Sequence, residues 1–269
     1  MPMSSAFSYT LGCKKDPKDL RDIPMSLVLP PIPVPKRIDY TSQMTPVRDQ
    51  ANEGTCVAFA SVVGVKEYED TKEYKKSVEL SPRYLYTLCK KLDGAPDEEG
   101  TYPRVAMKVL LHNGTCFESY WPYRPYQTDK PKKNADKVAK KFRIKAYARL
   151  SAIMEMKRSL LVNGPFLAGV KVFDCWFSKK AVKTGLIPMP KKTDEFQGGH
   201  AICIVGYDDQ RGLFKFKNSW SKKWADKGYG YLFYEYLQKY CSDAWSATDL
   251  IENPKSFVKT REQILRQFA

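Results

Sequence analysis

The 269-residue chain has only two histidines, no Cys-x-x-Cys pair and no apolar run long enough to span a bilayer. The missing Cys-x-x-Cys removes the usual zinc-site and thioredoxin-like readings. The longest apolar stretch, SLVLPPIPVP, is broken by prolines, so no transmembrane segment is expected. The first residues lack a basic stretch followed by an apolar one, so no secretory signal is visible and the compartment stays open. Nucleic-acid modules are missing too. Lys plus Arg number 45 against 30 Asp plus Glu, a formal charge of +15, but the basic residues are scattered. Their densest run, KPKKNADKVAKKFRIK (130–145), has few aromatics among its lysines. That pattern reads as a solvated basic surface with no specific nucleic-acid partner. Seven cysteines are an odd set, which leaves at least one thiol unpaired within the monomer; reduced thiols are the simpler expectation.

What the chain does contain is organised in blocks. Residues 1–36 form an arm, polar at first and then Pro-rich, which favours an extended polyproline-like path. Helices are expected at TCVAFASVVGVKEYED, at SPRYLYTLCKKL behind a Ser-Pro start, at TYPRVAMKVLLHNG, and at SAIMEMKRSLLVNG. The segments FLAGVKV, AICIVGY, LFKFKNSW and YGYLFY, rich in β-branched or aromatic residues, read as strands. Helices first and strands second predict an α+β chain with a mainly helical lobe over 37–148 and a β-rich lobe over 149–250. A tail over 251–269 carries Phe257, Ile264, Leu265 and Phe268 on one side of a candidate amphipathic helix.

The chemistry starts at DQANEGTCVAF, residues 49–59, where a polar run gives way to an apolar one at Cys56. A thiol at a helix start meets unsatisfied N–H groups and the positive end of the helix dipole, which lower its pKa. Thr55 is the expected N-cap. A nucleophilic thiol needs a base, and there are two choices. His112, in VLLHNG, sits at a helix C-terminus, where a histidine has an ordinary structural role. His200, in QGGHAICIVGYDD, stands between paired glycines and an apolar strand, where its ring can face a cleft. Asn218, in FKNSWSKKW, is the expected orienter of the imidazole, with Trp220 and Trp224 shielding that bond from water. Gln50 offers a side-chain amide to an oxyanion, alongside the Cys56 backbone N–H. No metal or other cofactor is called for.

In the order Gln, Cys, His, Asn these segments resemble the papain-like cysteine peptidases. The resemblance rests on PVRDQANEGTCVAFA, NGPFLAGV, GGHAICIVGYD and FKNSWSKKWADKGYGYL. The 144 residues between Cys56 and His200 fall within the family's range of about 130–150. The resemblance implies a papain-like two-lobed fold, with a helical lobe and an antiparallel β-barrel-like lobe enclosing a peptide-binding cleft. It implies Cys56 as nucleophile, His200 as general base and acid, Asn218 as orienter, Gln50 as oxyanion donor and Trp220 as shield. Gly100 and Thr101 become candidate backbone contacts for substrate, Tyr102 a pocket wall and Gly199 a further contact. Asp243, by its place in the chain, is expected at a pocket floor that favours basic side chains.

There are departures. Glu53 stands where relatives often have a disulfide-bonded cysteine, which puts an acidic side chain near the thiol. Val57 replaces the usual aromatic residue, and Gly199 stands where many relatives carry Asp. The arm is much shorter than the helical prosegment of many relatives; it is expected either to cross the back of the fold or to lie in the cleft as a short inhibitory propeptide. Polypeptide substrates are the expected partners, with a protein inhibitor or the chain's own arm as further occupants of the cleft. Thiol acyl transfer, as in transglutaminases and peptide ligases, and an inactive peptide-binding relative are the alternatives to hydrolysis. Oligomeric state is left open.

Overall fold

A computed structural model describes residues 9–248. The candidate amphipathic tail lies outside the described residues. Before the sheet proper, helices cover Pro82–Leu92 and Pro103–His112, and a third helical run begins at Cys56. Ser81 starts the first of these: its hydroxyl accepts from the Tyr84 N–H at 3.1 Å, with Pro82 at the first helical position. The later helix Ile153–Asn163 stops at Gly164, whose φ of +87° suits a residue without a side chain. A Cβ there would also fall 2.5 Å from the Tyr68 ring.

The strands are β1 (Arg37–Asp39), β2 (Ala146–Arg149), β3 (Phe166–Phe173), β4 (Leu186–Ile187), β5 (Phe196–Asp208), β6 (Leu213–Lys217), β7 (Tyr229–Phe233) and β8 (Cys241–Thr248). They make one eight-stranded sheet in the order β2-β8-β3-β5-β6-β7-β4, with β1 also paired to β5. All pairings are antiparallel except β4 with β7. Among the described residues the sheet is open, so the barrel-like lobe expected from the sequence is a sheet without closure. Both faces of its centre are buried, which explains why β3 and β5 read as continuous apolar runs rather than as alternations. Phe166, Ala168 and Val170 of β3 join Ile202 and Ile204 of β5 in one core. Leu167, Ala201, Cys203 and Val205 join the helical core on the other face.

The helical run bearing Cys56 has an unusual middle. It is α-helical over Cys56–Phe59, widens to a π-helix over Ala60–Lys66, and returns to α over Glu67–Tyr74. Widened turns leave main-chain carbonyls needing other partners. Here the Lys217 ammonium, on β6, donates to the Val63 carbonyl (2.8 Å), the Thr45 carbonyl (2.7 Å) and Thr45 Oγ1 (3.1 Å). Glu67, fully buried, faces this ammonium and is bonded to Arg48 and Thr45. The helix is thereby tied to the strand that delivers Asn218. Gly64 lets it approach β5, since a Cβ would lie 2.4 Å from the Cys203 Cβ.

The arm divides in two. Met25, Val28, Leu29 and Ile32 are buried in the sheet core beside Leu150, Met156 and Leu160. Met25–Val28 makes one helical turn where the prolines suggested extended chain. Residues 9–16 instead run through the cleft, and Leu20, between the two parts, is fully exposed. Among the described residues no helix is long and apolar enough to cross a membrane.

Candidate active site

Cys56 is the first residue of its helix, and His200, on β5, is paired to Val170 of β3. Asn218 and Trp220 follow directly after β6, and the Ala201 N–H, next to His200, faces the Cys56 thiol. All four side chains are buried. Imidazole Nε2 lies 2.8 Å from Asn218 Oδ1. The same oxygen accepts from the Ser219 N–H at 2.8 Å, which fixes the amide with its oxygen toward the ring. Nε2 therefore carries the hydrogen. Nδ1 is left as a buried lone pair with no partner among the described residues. Trp220 stacks on the imidazole, with centroids 4.5 Å apart and planes 25° apart, and Trp224 meets Trp220 edge-on at 5.5 Å.

Gln50 is held as firmly. Its Oε1 accepts from the Ser219 hydroxyl at 2.6 Å, and its Nε2 donates to the carbonyls of Glu53 and Thr10, each at 3.0 Å. Two carbonyls facing one nitrogen exclude the flipped amide. Ser219 thus orients both Gln50 and Asn218. The sequence reading passed over it, although its place beside Asn218 in KNSW was a usable signal.

The arm fills the cleft. Tyr9 stacks on the outer face of Trp220, with centroids 4.3 Å apart and planes 11° apart. The Thr10 carbonyl takes the Gln50 donor. Gly12 passes where a Cβ would lie 2.1 Å from the Gly54 carbonyl oxygen. The Thr101 N–H donates to the Gly12 carbonyl (2.9 Å), the Cys13 N–H to the Gly199 carbonyl (3.0 Å), and the Lys14 N–H to the Thr101 carbonyl (3.0 Å). Thr101 and Gly199 therefore bind an extended main chain from the two walls. Gly100 does so only by lacking a side chain: its N–H donates to the Tyr86 hydroxyl, and a Cβ would lie 2.3 Å from the Gly12 carbonyl oxygen. Tyr102 is half-buried, with the Lys14 ammonium 5.8 Å from its ring centroid.

Three expectations are corrected. Burial pushes the Cys56 thiol up to about 11, against the N–H groups of Ala201, Gly12 and Val57 that favour a thiolate. Burial likewise pulls His200 down to about 4, with the Asn218 bond opposing. With the arm in place, burial favours the neutral form of each group. Thr55 does not cap the helix with its side chain; its hydroxyl lies 2.9 Å from the Tyr123 hydroxyl and 3.4 Å from the Glu53 carbonyl oxygen. Asp243 is no free floor charge. It is buried, paired with Arg149 at 2.8 Å, and accepts the Asp16 N–H at 3.0 Å.

His112 is exposed at the end of its helix. All seven cysteines are free thiols. No cluster of three or more His, Cys, Asp or Glu side chains suited to a metal ion occurs among the described residues.

The family model for papain family cysteine proteases matches residues 34–247. An uncharacterized peptidase C1-like protein of Acanthamoeba polyphaga mimivirus is 32% identical over 222 residues, covering 76% of this chain and 71% of the relative. Cathepsin K of Mus musculus is 29% identical over 206 residues, covering 74% of this chain and 60% of its own. Xylellain, a cysteine protease from Xylella fastidiosa, superposes with a TM-score of 0.78 at 29% identity, over 88% of this chain and 95% of that one. This chain belongs to the papain family of cysteine proteases.

Proposed function

We propose that the chain hydrolyses peptide bonds through a thioester on Cys56, and that residues 9–16 hold it latent. In this reading His200 Nδ1 takes the thiol proton, and the sulfur attacks the substrate carbonyl carbon. The oxyanion forms where the Thr10 carbonyl sits and is held by Gln50 Nε2 and the Cys56 N–H. The proton then passes from Nδ1 to the leaving amine. Water, deprotonated by the same nitrogen, cleaves the thioester and restores the thiol. Asn218 keeps the ring in the tautomer this requires. Thr101 and Gly199 offer the substrate main chain the same N–H and carbonyl groups that hold the arm.

The observation that carries this reading is a buried thiol reached by the N–H groups of Ala201 and Gly12, with His200, next to Ala201, keeping a bare Nδ1 and the Gln50 amide aimed at the Thr10 carbonyl oxygen. Latency follows from occupancy and from electrostatics together. The arm fills the donor positions and also excludes the water that would let thiolate and imidazolium form.

Removing all 36 residues would strip Met25, Val28, Leu29 and Ile32 from the core, so the informative truncation starts at Lys18. This shortened chain is expected to cleave an unfolded protein substrate faster than the full chain, and its Cys56→Ala variant not at all. A fully reduced shortened chain that cleaves nothing would reject the peptidase reading. Equal rates for the two chains would reject latency alone.

A further inference from the structure

Glu53 lies three residues before the thiol, and its carboxylate is buried yet fully engaged. One oxygen accepts from Arg83 Nη1 at 2.9 Å; the other takes Arg83 Nη2 and the Tyr126 N–H at 3.1 Å. The two side chains are 7% and 5% exposed, and the Arg83 Nη2 also donates to the Arg124 carbonyl at 2.8 Å. The guanidinium lies 5.0 Å from the Tyr123 ring centroid. The Tyr123 hydroxyl in turn donates to the Gln50 carbonyl at 2.7 Å and lies 3.2 Å from the Glu53 carboxylate. So the loop from Gln50 to Thr55 is pinned to the Pro82–Leu92 helix through a two-pronged ion pair.

That pin has a chemical consequence at Gln50. A primary amide has two hydrogens to give. One goes to the Glu53 main-chain carbonyl and the other to Thr10, the carbonyl that a substrate would replace. The Glu53 carbonyl thus sets the rotation of the amide and aims its remaining hydrogen into the cleft. That carbonyl also accepts from the Thr55 N–H at 2.7 Å, and the anchored Glu53 side chain adds a second hold on the same residue.

We propose that Glu53 and Arg83 are positioning residues for the oxyanion donor, acting through the Gln50 amide and not on the thiol itself. The inference rests on the peptidase reading and adds to it a division of labour. The ion pair serves acylation, which builds an oxyanion, and leaves the nucleophilicity of Cys56 untouched. It also holds the cleft rim with no disulfide, so a reducing environment costs this rim nothing.

The test uses the full chain with Gly12→Arg as parent, because a Cβ at residue 12 would lie 2.1 Å from the Gly54 carbonyl oxygen, and faster alkylation of Cys56 than in the unaltered chain checks that the arm has left. Two rates are compared: acylation by a peptide ester, and alkylation of Cys56 by iodoacetamide, which passes through no oxyanion. Arg83→Met and Glu53→Gln are expected to slow acylation about 10-fold or more at unchanged KM, toward the roughly 100- to 1000-fold loss of a missing oxyanion donor. Alkylation should change less than about twofold. In a Gln50→Ala background, Arg83→Met should slow acylation no further, because both changes act through one group. Glu53→Gln keeps the side-chain shape and replaces Arg83→Met if the latter does not fold. Parallel loss of both rates, no loss of either, or full multiplication of the Gln50 and Arg83 effects would overturn the proposal. A parent that neither alkylates nor acylates would overturn the peptidase reading, and this inference with it.

Discussion

Gln50 shows how much one amide is asked to do. Its oxygen is committed to Ser219 and one of its hydrogens to Glu53, so a single N–H remains for the cleft. Gln50→Ala is expected to lower kcat/KM by about 100- to 1000-fold, the usual value of one oxyanion donor, with Cys56 still alkylated. Steady-state kinetics on the arm-displaced chain checks this; a loss below threefold would remove Gln50 from the chemistry. Cys56, His200, Asn218 and Gln50 stand out as candidates in the sequence because residue type and local setting point to a role for each. The fate of Glu53 was not legible. An acid near a thiol suggests a perturbed titration, but a partner 30 positions away, Arg83, takes up its charge. Only the fold brings those two residues together.

At the scale of elements, the long helices and four of the strands follow from apolar patterning and β-branched or aromatic composition, and helix edges follow from Ser81, Pro82 and Gly164. β8 went unread. CSDAWSAT is dotted with polar residues that suggest a loop, yet Asp243 and Ser246 are buried and bonded to Arg149 and Ser159. Long-range partners overruled the local pattern. The π-helix after Cys56 was equally hidden, because the carbonyls it frees are answered by Lys217 from a distant strand. Gly64 offers a test of that packing. Ala outranks Gly in a helix by about 1 kcal/mol. Even so, Gly64→Ala is expected to destabilise the chain by about 1–3 kcal/mol, since its Cβ would overlap Cys203. Denaturant midpoints decide: a more stable variant would mean that the helix and β5 are not so tightly packed.

For the whole molecule, the arm is the feature that links stability to control. Its division into a core part at Met25–Ile32 and a cleft part at residues 9–16 was beyond sequence reading, because both stretches are anchored by distant residues. The cleft part ends at Asp16, whose carboxylate accepts from the Arg104 N–H at 3.0 Å and the Trp245 indole at 2.8 Å. Asp243 lies beside it; Arg149 is paired with Asp243, and the Arg104 guanidinium is bonded to Asp22 and Pro17. Burial, and then Asp243, raise Asp16 from 3.8 to about 6. The docked arm therefore binds a proton that the free arm releases, so docking is strongest at low pH and weakens as pH rises through about 6. Latency is expected to be tighter at pH 5 than at pH 7. The ratio of wild-type to Asp16→Asn activity, taken at each pH to cancel the intrinsic chemistry, should rise over that interval. A flat ratio would exclude Asp16 as the source of any pH dependence.

The central claim, a competent thiol held latent by the chain's own arm, is tested most directly by mass analysis after exposure to an epoxide inhibitor selective for papain-like thiols. With reduced protein, the Gly12→Arg chain should gain one inhibitor on Cys56 much faster than the unaltered chain does, and its Cys56→Ala variant should gain none. Equal labelling of the two Cys56 chains would contradict latency, and an unlabelled Cys56 in the arm-displaced chain would contradict the nucleophile itself.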